Sequence, residues 1–132
     1  MKAMGALVMS LALSACSAEK AQSVNDYNSI DVPVDRLFSD EARLRGRALF
    51  RKKCALCHGE RADGNGVRRE GLSGKPINFH NQEWRANTSP LDVFRILSEG
   101  KRGTSMPAWP TLSDEQKWDI IAYVLSVAED GP

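Results

Sequence analysis

The chain has 132 residues, a length that suits one domain. Its 18 lysines and arginines stand against 17 aspartates and glutamates, for a formal charge of +1. Such a balance gives no electrostatic reason for nucleic acid as a partner.

In chain order, residues 1–15 (MKAMGALVMSLALSA) carry one lysine, no acid and an apolar run from Ala6 to Leu13. The run is too short to cross a bilayer, which takes roughly 20 apolar residues. It fits the charged and apolar regions of an export signal. The signal ends in Leu13-Ser14-Ala15-Cys16, which resembles the lipobox of bacterial lipoproteins. That resemblance implies cleavage before Cys16 and lipid on its sulfur and amine; two or more acyl chains anchor a protein stably to a membrane. Ordinary cleavage nearby, leaving a free thiol, is the alternative. Loss of residues 1–15 removes one lysine and no acid, leaving 17 basic and 17 acidic side chains. Outside the cytoplasm dithiols oxidise unless occupied, so Cys54 and Cys57 need a shared fate.

Residues 16–36 are polar and aperiodic and read as a lipidated flexible tether, with a packed arm or short strand around Ile30-Asp31-Val32 as the competing reading. As coil, 20 such residues have an r.m.s. span of roughly 25 Å. The domain itself is expected over residues 37–129, with 130–132 as a tail. A first helix should start at Ser39, a cap followed by Asp40 and Glu41, and present Ala42, Gly46, Leu49, Phe50 and Cys54 on one face. Residues 59–87 are punctuated by glycines and read as loop, a length acceptable in a compact domain only if it wraps a cofactor. A second helix is predicted from Pro90, after Ser89, to about Ser98, with Gly100 as its stop. The last opens with the capping box Ser113-Asp114-Glu115-Gln116 and runs to about Ala128, with Trp118, Ile121, Ala122 and Leu125 at helical spacing. The class is all-α, with thin protein core.

The chemistry sits in KKCALCHGE, residues 52–60. A zinc site wants four converging ligands; adjacent Cys57 and His58 converge poorly, and only His80 remains as a further nitrogen. A redox dithiol wants its cysteines at a helix N-terminus, whereas here the helix precedes them. C-x-x-C-H is the attachment sequence of c-type haem: Cys54 and Cys57 reach the two vinyl groups, and His58 becomes the proximal iron ligand. For the sixth position methionine and histidine compete. Met1, Met4 and Met9 leave with the signal, so Met106, in GTSMPAW (103–109), is the remaining methionine. It lies in a loop that Pro107 stiffens. His80, in NFHNQEW (78–84), and an open sixth site are the alternatives.

Four segments, GRALFRKKCALCHGERADGNG (46–66), KPINF (75–79), GTSMPAWPTLS (103–113) and KWDIIAYVLSV (117–127), together resemble class I monohaem bacterial cytochromes c from about Leu37 to Val127. The resemblance implies three to five helices wrapped around one covalent haem c and its iron, with the N- and C-terminal helices crossing at Gly46, Phe50 and Tyr123. It also implies Pro76 as the carbonyl that accepts the His58 Nδ1–H.

A six-coordinate haem leaves no position for a small-molecule substrate, so the sequence points to one-electron transfer and not to an enzyme. His/Met ligation and apolar burial both favour a positive couple. Expected partners are a redox donor and acceptor protein, on the periplasmic side of a bacterial membrane. Basic residues gather around the attachment segment, including Arg51, Lys52 and Lys53, and acids on the last helix. That asymmetry either steers docking or is a solvated helix end. A fixed haem subunit of a membrane respiratory or dehydrogenase complex is the second reading, and a haem-based redox or gas sensor the third.

Overall fold

The computed structural model describes residues 26–129. The export signal, Cys16 and the 130–132 tail lie outside them. Among the described residues, six helices and a 3₁₀ turn (Tyr27–Ser29) make up the regular structure, and no strand forms. The fold is all-α.

The helices are α1 (Val34–Leu37), α2 (Asp40–Lys53), α3 (Ala55–His58), α4 (Gln82–Ala86), α5 (Pro90–Glu99) and α6 (Asp114–Val127). Ser39 caps α2, its Oγ accepting the Ala42 N–H at 3.2 Å. Both arms of a capping box close the starts of α5, through Ser89 and Asp92, and α6, through Ser113 and Gln116. Such reciprocal caps satisfy amides that a helix start leaves without partners.

The core is the crossing of α2 and α6. At Gly46 the helices come so close that a β-carbon would stand 1.8 Å from the Asp119 carbonyl oxygen. Beside that point Phe50 meets Tyr123 edge to face, with ring centroids 5.2 Å apart. The predicted stripe on α6 understates its burial: Lys117 through Ala122 and Val124 through Val127 are all buried. Helices α1, α2 and α5 all pack against α6, and most of its length is buried.

Residues 27–36, expected in the tether, belong to the domain instead. Tyr27 lies edge-on to Phe94 at 6.3 Å, and Ile30 and Val32 pack against the core. Arg36 then donates Nε–H to Asp119 Oδ1 at 2.8 Å. The packed arm, without a strand, is the arrangement found. Its aromatic and β-branched residues supply apolar area to a core that α2, α5 and α6 alone leave thin. Within the long loop, α4 was also not foreseen; Asn81 caps it by accepting the Trp84 N–H at 2.9 Å.

Candidate functional site

Cys54 ends α2 and begins α3, a single turn that carries the rest of the motif to His58. The turn is held from both ends: the Cys54 carbonyl accepts N–H groups from Cys57 at 3.1 Å and His58 at 2.9 Å. Burial pushes the Cys54 thiol up to about 11, against a smaller opposing pull from Lys53. A buried thiol of that kind is a poor spontaneous nucleophile.

The following loop folds back on the turn. Gly64, Gly66 and Arg68 donate backbone N–H groups to the carbonyls of His58 (2.8 Å), Cys57 (3.2 Å) and Leu56 (2.9 Å). A β-carbon on Gly66 would stand 2.4 Å from the Leu56 carbonyl oxygen. Sequence reasoning read Gly64 and Gly66 only as loop punctuation. Their job here is to let one backbone lie against another, and spacing alone cannot say which backbone that is.

His58 Nδ1 lies 3.3 Å from the carbonyl oxygen of Ile77. A carbonyl only accepts, so the proton sits on Nδ1 and the Nε2 lone pair is free to ligate. Burial lowers the His58 pKa, opposed by the bond to Ile77, and this favours the neutral ring. The acceptor expected at Pro76 is thus found one residue on. The Pro76 carbonyl is turned instead toward Gly64, where a β-carbon would stand 2.8 Å from it. Pro76 itself still lines the cavity described next. The His58 ring also contacts Phe79, with centroids 5.1 Å apart, and Phe50, at 6.2 Å.

Cys54, Cys57, His58 and Met106 all line one largely apolar cavity of about 300 Å³. Ile120 and Val124 of α6 form part of its wall. Met106 is held by its backbone: its N–H reaches Thr104 Oγ1 at 3.2 Å and its carbonyl accepts the Lys101 N–H at 3.0 Å. Ser105 N–H donates to the Ser73 carbonyl, and Ser73 N–H to Ser105 Oγ, both at 2.9 Å. These bonds join two loops that both line the cavity. His80 does not line the cavity. It faces a separate groove with Tyr123 and Arg47, and its Nε2 is 2.7 Å from the Arg61 carbonyl.

Residues 41–124 match the protein family described as Cytochrome C oxidase, cbb3-type, subunit III. The chain belongs to this family. Cytochrome c55X of Stutzerimonas stutzeri is 31% identical over 86 residues, covering 63% of this chain and 62% of that relative. A chain of the Kuenenia stuttgartiensis reducing HAO-like protein complex Kustc0457/Kustc0458 superposes with a TM-score of 0.64 at 28% identity, over 74% of this chain and 49% of that one. A protein described as KustC0563 c-type cytochrome gives a TM-score of 0.48 at 27% identity, over 66% of this chain and 98% of its own. The chain therefore spans less than two thirds of the cytochrome c55X relative and about half of the first structural neighbour.

This is a c-type cytochrome, and its residues fit a covalently bound haem c with iron. Two sulfurs on one turn, an imidazole with a free nitrogen and an apolar slot converge as the cofactor requires. Trp109 adds a further match. It lines the cavity, and its indole N–H is buried without a hydrogen-bond acceptor among the described residues, whereas buried donors are nearly always satisfied. The carboxylates of a haem are acceptors of the right kind. Lys53, Lys75 and Lys101 also line the cavity and supply positive charge for them.

Proposed function

We propose that this cytochrome carries single electrons through one haem, attached at Cys54 and Cys57 and ligated by His58 and Met106. The bound haem supplies the one-electron iron couple. Cys54 and Cys57 fix its edge, and Ile77 keeps the His58 proton on Nδ1. The loop bonds at Thr104 and Lys101 hold the Met106 backbone in place, which favours little structural change between oxidation states. The observation that carries this reading is that His58 and Met106 line one apolar cavity while His80 lies in another groove. In Met106→Ala, the far-red ferric band of sulfur ligation should vanish and the potential should fall. Retention of both would reject Met106.

The proposal extends to location: cleavage before Cys16, lipid on that residue, and a domain on the periplasmic face of a membrane. No helix among the described residues is long and apolar enough to cross a bilayer, so attachment by lipid supplies what the described helices do not. Cys16→Ala should move the haem-stained protein to the soluble fraction; retention in membranes would reject the anchor.

A second reading, a haem subunit held in a larger redox assembly, is favoured by one observation. The arm from Tyr27 to Arg36 is packed on the domain and not available as a swinging tether. Native electrophoresis of gently solubilised membranes distinguishes the two: a carrier migrates alone, a subunit with its assembly.

A further inference from the structure

The corner formed by α1 and the start of α2 has features that electron transfer does not explain. Val34 and Phe38 are 56% and 63% exposed, although Leu37 between them is buried. They sit one helical turn apart, the Phe38 N–H donating to the Val34 carbonyl at 3.3 Å, so they share one side of the turn. The corner is also fixed in place, by Arg36 on Asp119 and Tyr27 on Phe94.

Its charge is one-sided. Between residues 26 and 42 there are five carboxylates and one cation, and the next cations, Arg43 and Arg45, are ion-paired to Glu129 and Asp119. The cation within that span, Arg36, is bound inward to Asp119. Asp31, Asp35, Asp40 and Glu41 are all exposed. Asp31, Asp35 and Asp40 form no ion pair with any described residue. The cavity, by contrast, is lined with Lys53, Lys75 and Lys101. The acidic corner and the lysine-lined haem site are therefore separate surfaces of opposite sign.

We infer that this corner is a docking face for a redox-complex protein whose apolar pocket, rimmed by lysine or arginine, receives Phe38 and Val34. An anionic lipid surface would repel the carboxylates. A twofold contact between two copies would set the same carboxylates against each other. Residues 17–25 carry one lysine and one glutamate, too little charge to complement the corner. A basic-rimmed protein meets both demands, with Phe38 as an aromatic anchor of the kind that dominates interface energies. Docking there leaves the haem site free for exchange. The inference rests on the second reading above, that the cytochrome is held in an assembly.

The test places a benzoylphenylalanine photoprobe at position 38 of the full-length, haem-loaded protein in its own membranes. Irradiation should give a haem-stained adduct whose cross-linked peptide, by mass spectrometry, lies beside lysines or arginines of another protein. The yield of the adduct should fall several-fold when irradiation is carried out at high salt. An adduct to lipid, to a second copy or to residues 16–25, or no adduct, overturns the inference. In parallel, Val34→Ser with Phe38→Ser should lower the co-migrating fraction by about tenfold or more, with the absorption spectrum and potential unchanged. Asp31→Asn with Asp35→Asn should lower it less. If the wild type co-migrates and these variants do too, the corner is wrong and the assembly stands. If the wild type migrates alone, the assembly reading falls and takes the inference with it.

Discussion

The backbone carbonyl of Asp119 occupies the space that a side chain at residue 46 would need, 1.8 Å from a β-carbon built on Gly46. The obstacle is backbone on a buried helix, which cannot swing aside as a side-chain tip would. Gly46→Ala should force α2 and α6 apart and cost about 1–3 kcal/mol or more, as overpacking does. The check is the denaturant midpoint of the haem-loaded protein; a midpoint equal to wild type would show that the crossing is looser than described.

Asp119 also ties the arm to the crossing. It is 3% exposed and accepts from Arg36 Nε at 2.8 Å and from Arg45 Nε at 2.9 Å. Burial works against its charge, but the bonds from Arg45 and Arg36 outweigh it and hold the carboxyl below its ordinary value. A folded pKa below the unfolded one gives stability that is complete above the unfolded pKa of about 3.9 and lost as pH falls through the folded value. Stability should therefore decline below about pH 4. Asp119→Asn should lose about 1–3 kcal/mol at neutral pH and show a shallower acid limb, read by urea unfolding between pH 3 and about 7.

Gly66 lies against the carbonyls of Leu56 and Cys57, the two residues that precede His58. Gly66→Ala should disturb the attachment turn itself and so lower the yield of haem-loaded protein. Densitometry of haem stain against total protein reads this directly. A normal ratio would mean that the loop can move away without disturbing Cys57.

His80 faces the groove beside Tyr123, with Nε2 at the Arg61 carbonyl. His80→Ala should leave the absorption spectrum and potential as in wild type, and lower stability by about 0.5–1.5 kcal/mol through the lost bond. A changed ferric spectrum would move His80 into the iron's coordination sphere.

Positive charge in the lining, at Lys53, Lys75 and Lys101, should speed exchange with an anionic small-molecule oxidant such as ferricyanide. The rate should fall several-fold between low and high ionic strength, and Lys53→Gln with Lys101→Gln should flatten that dependence. A rate indifferent to salt would show that these lysines do not steer.

Elements bounded by their own side chains could be read from the sequence. Ser39, Ser89 and Ser113 mark the starts of α2, α5 and α6 because a cap acts within three residues. The motif at Cys54, Cys57 and His58 is legible for the same reason: its geometry is one turn. What escaped depends on distant partners. The arm at 27–36 looks polar, and its order comes from Arg36 meeting Asp119, 83 positions away. The shift from Pro76 to Ile77 turns on which carbonyl a loop aims at His58, a matter of one peptide's rotation. Val93 of α5 is buried and lines the cavity, a placement set by what packs around the helix and not by its own spacing.

The packing of the arm has a consequence for confinement. If residues 17–36 were all free, fully extended they would allow about 70 Å between Cys16 and the domain. With Tyr27 held against Phe94, ten residues lie between it and Cys16, and the limit falls to about 35 Å. The volume accessible to a domain leashed at Cys16 scales with the cube of that length, so it shrinks by about eightfold. If lipid anchors Cys16 as proposed, a redox protein fixed in the same membrane would meet this cytochrome at a correspondingly higher local concentration, without any added attraction between them.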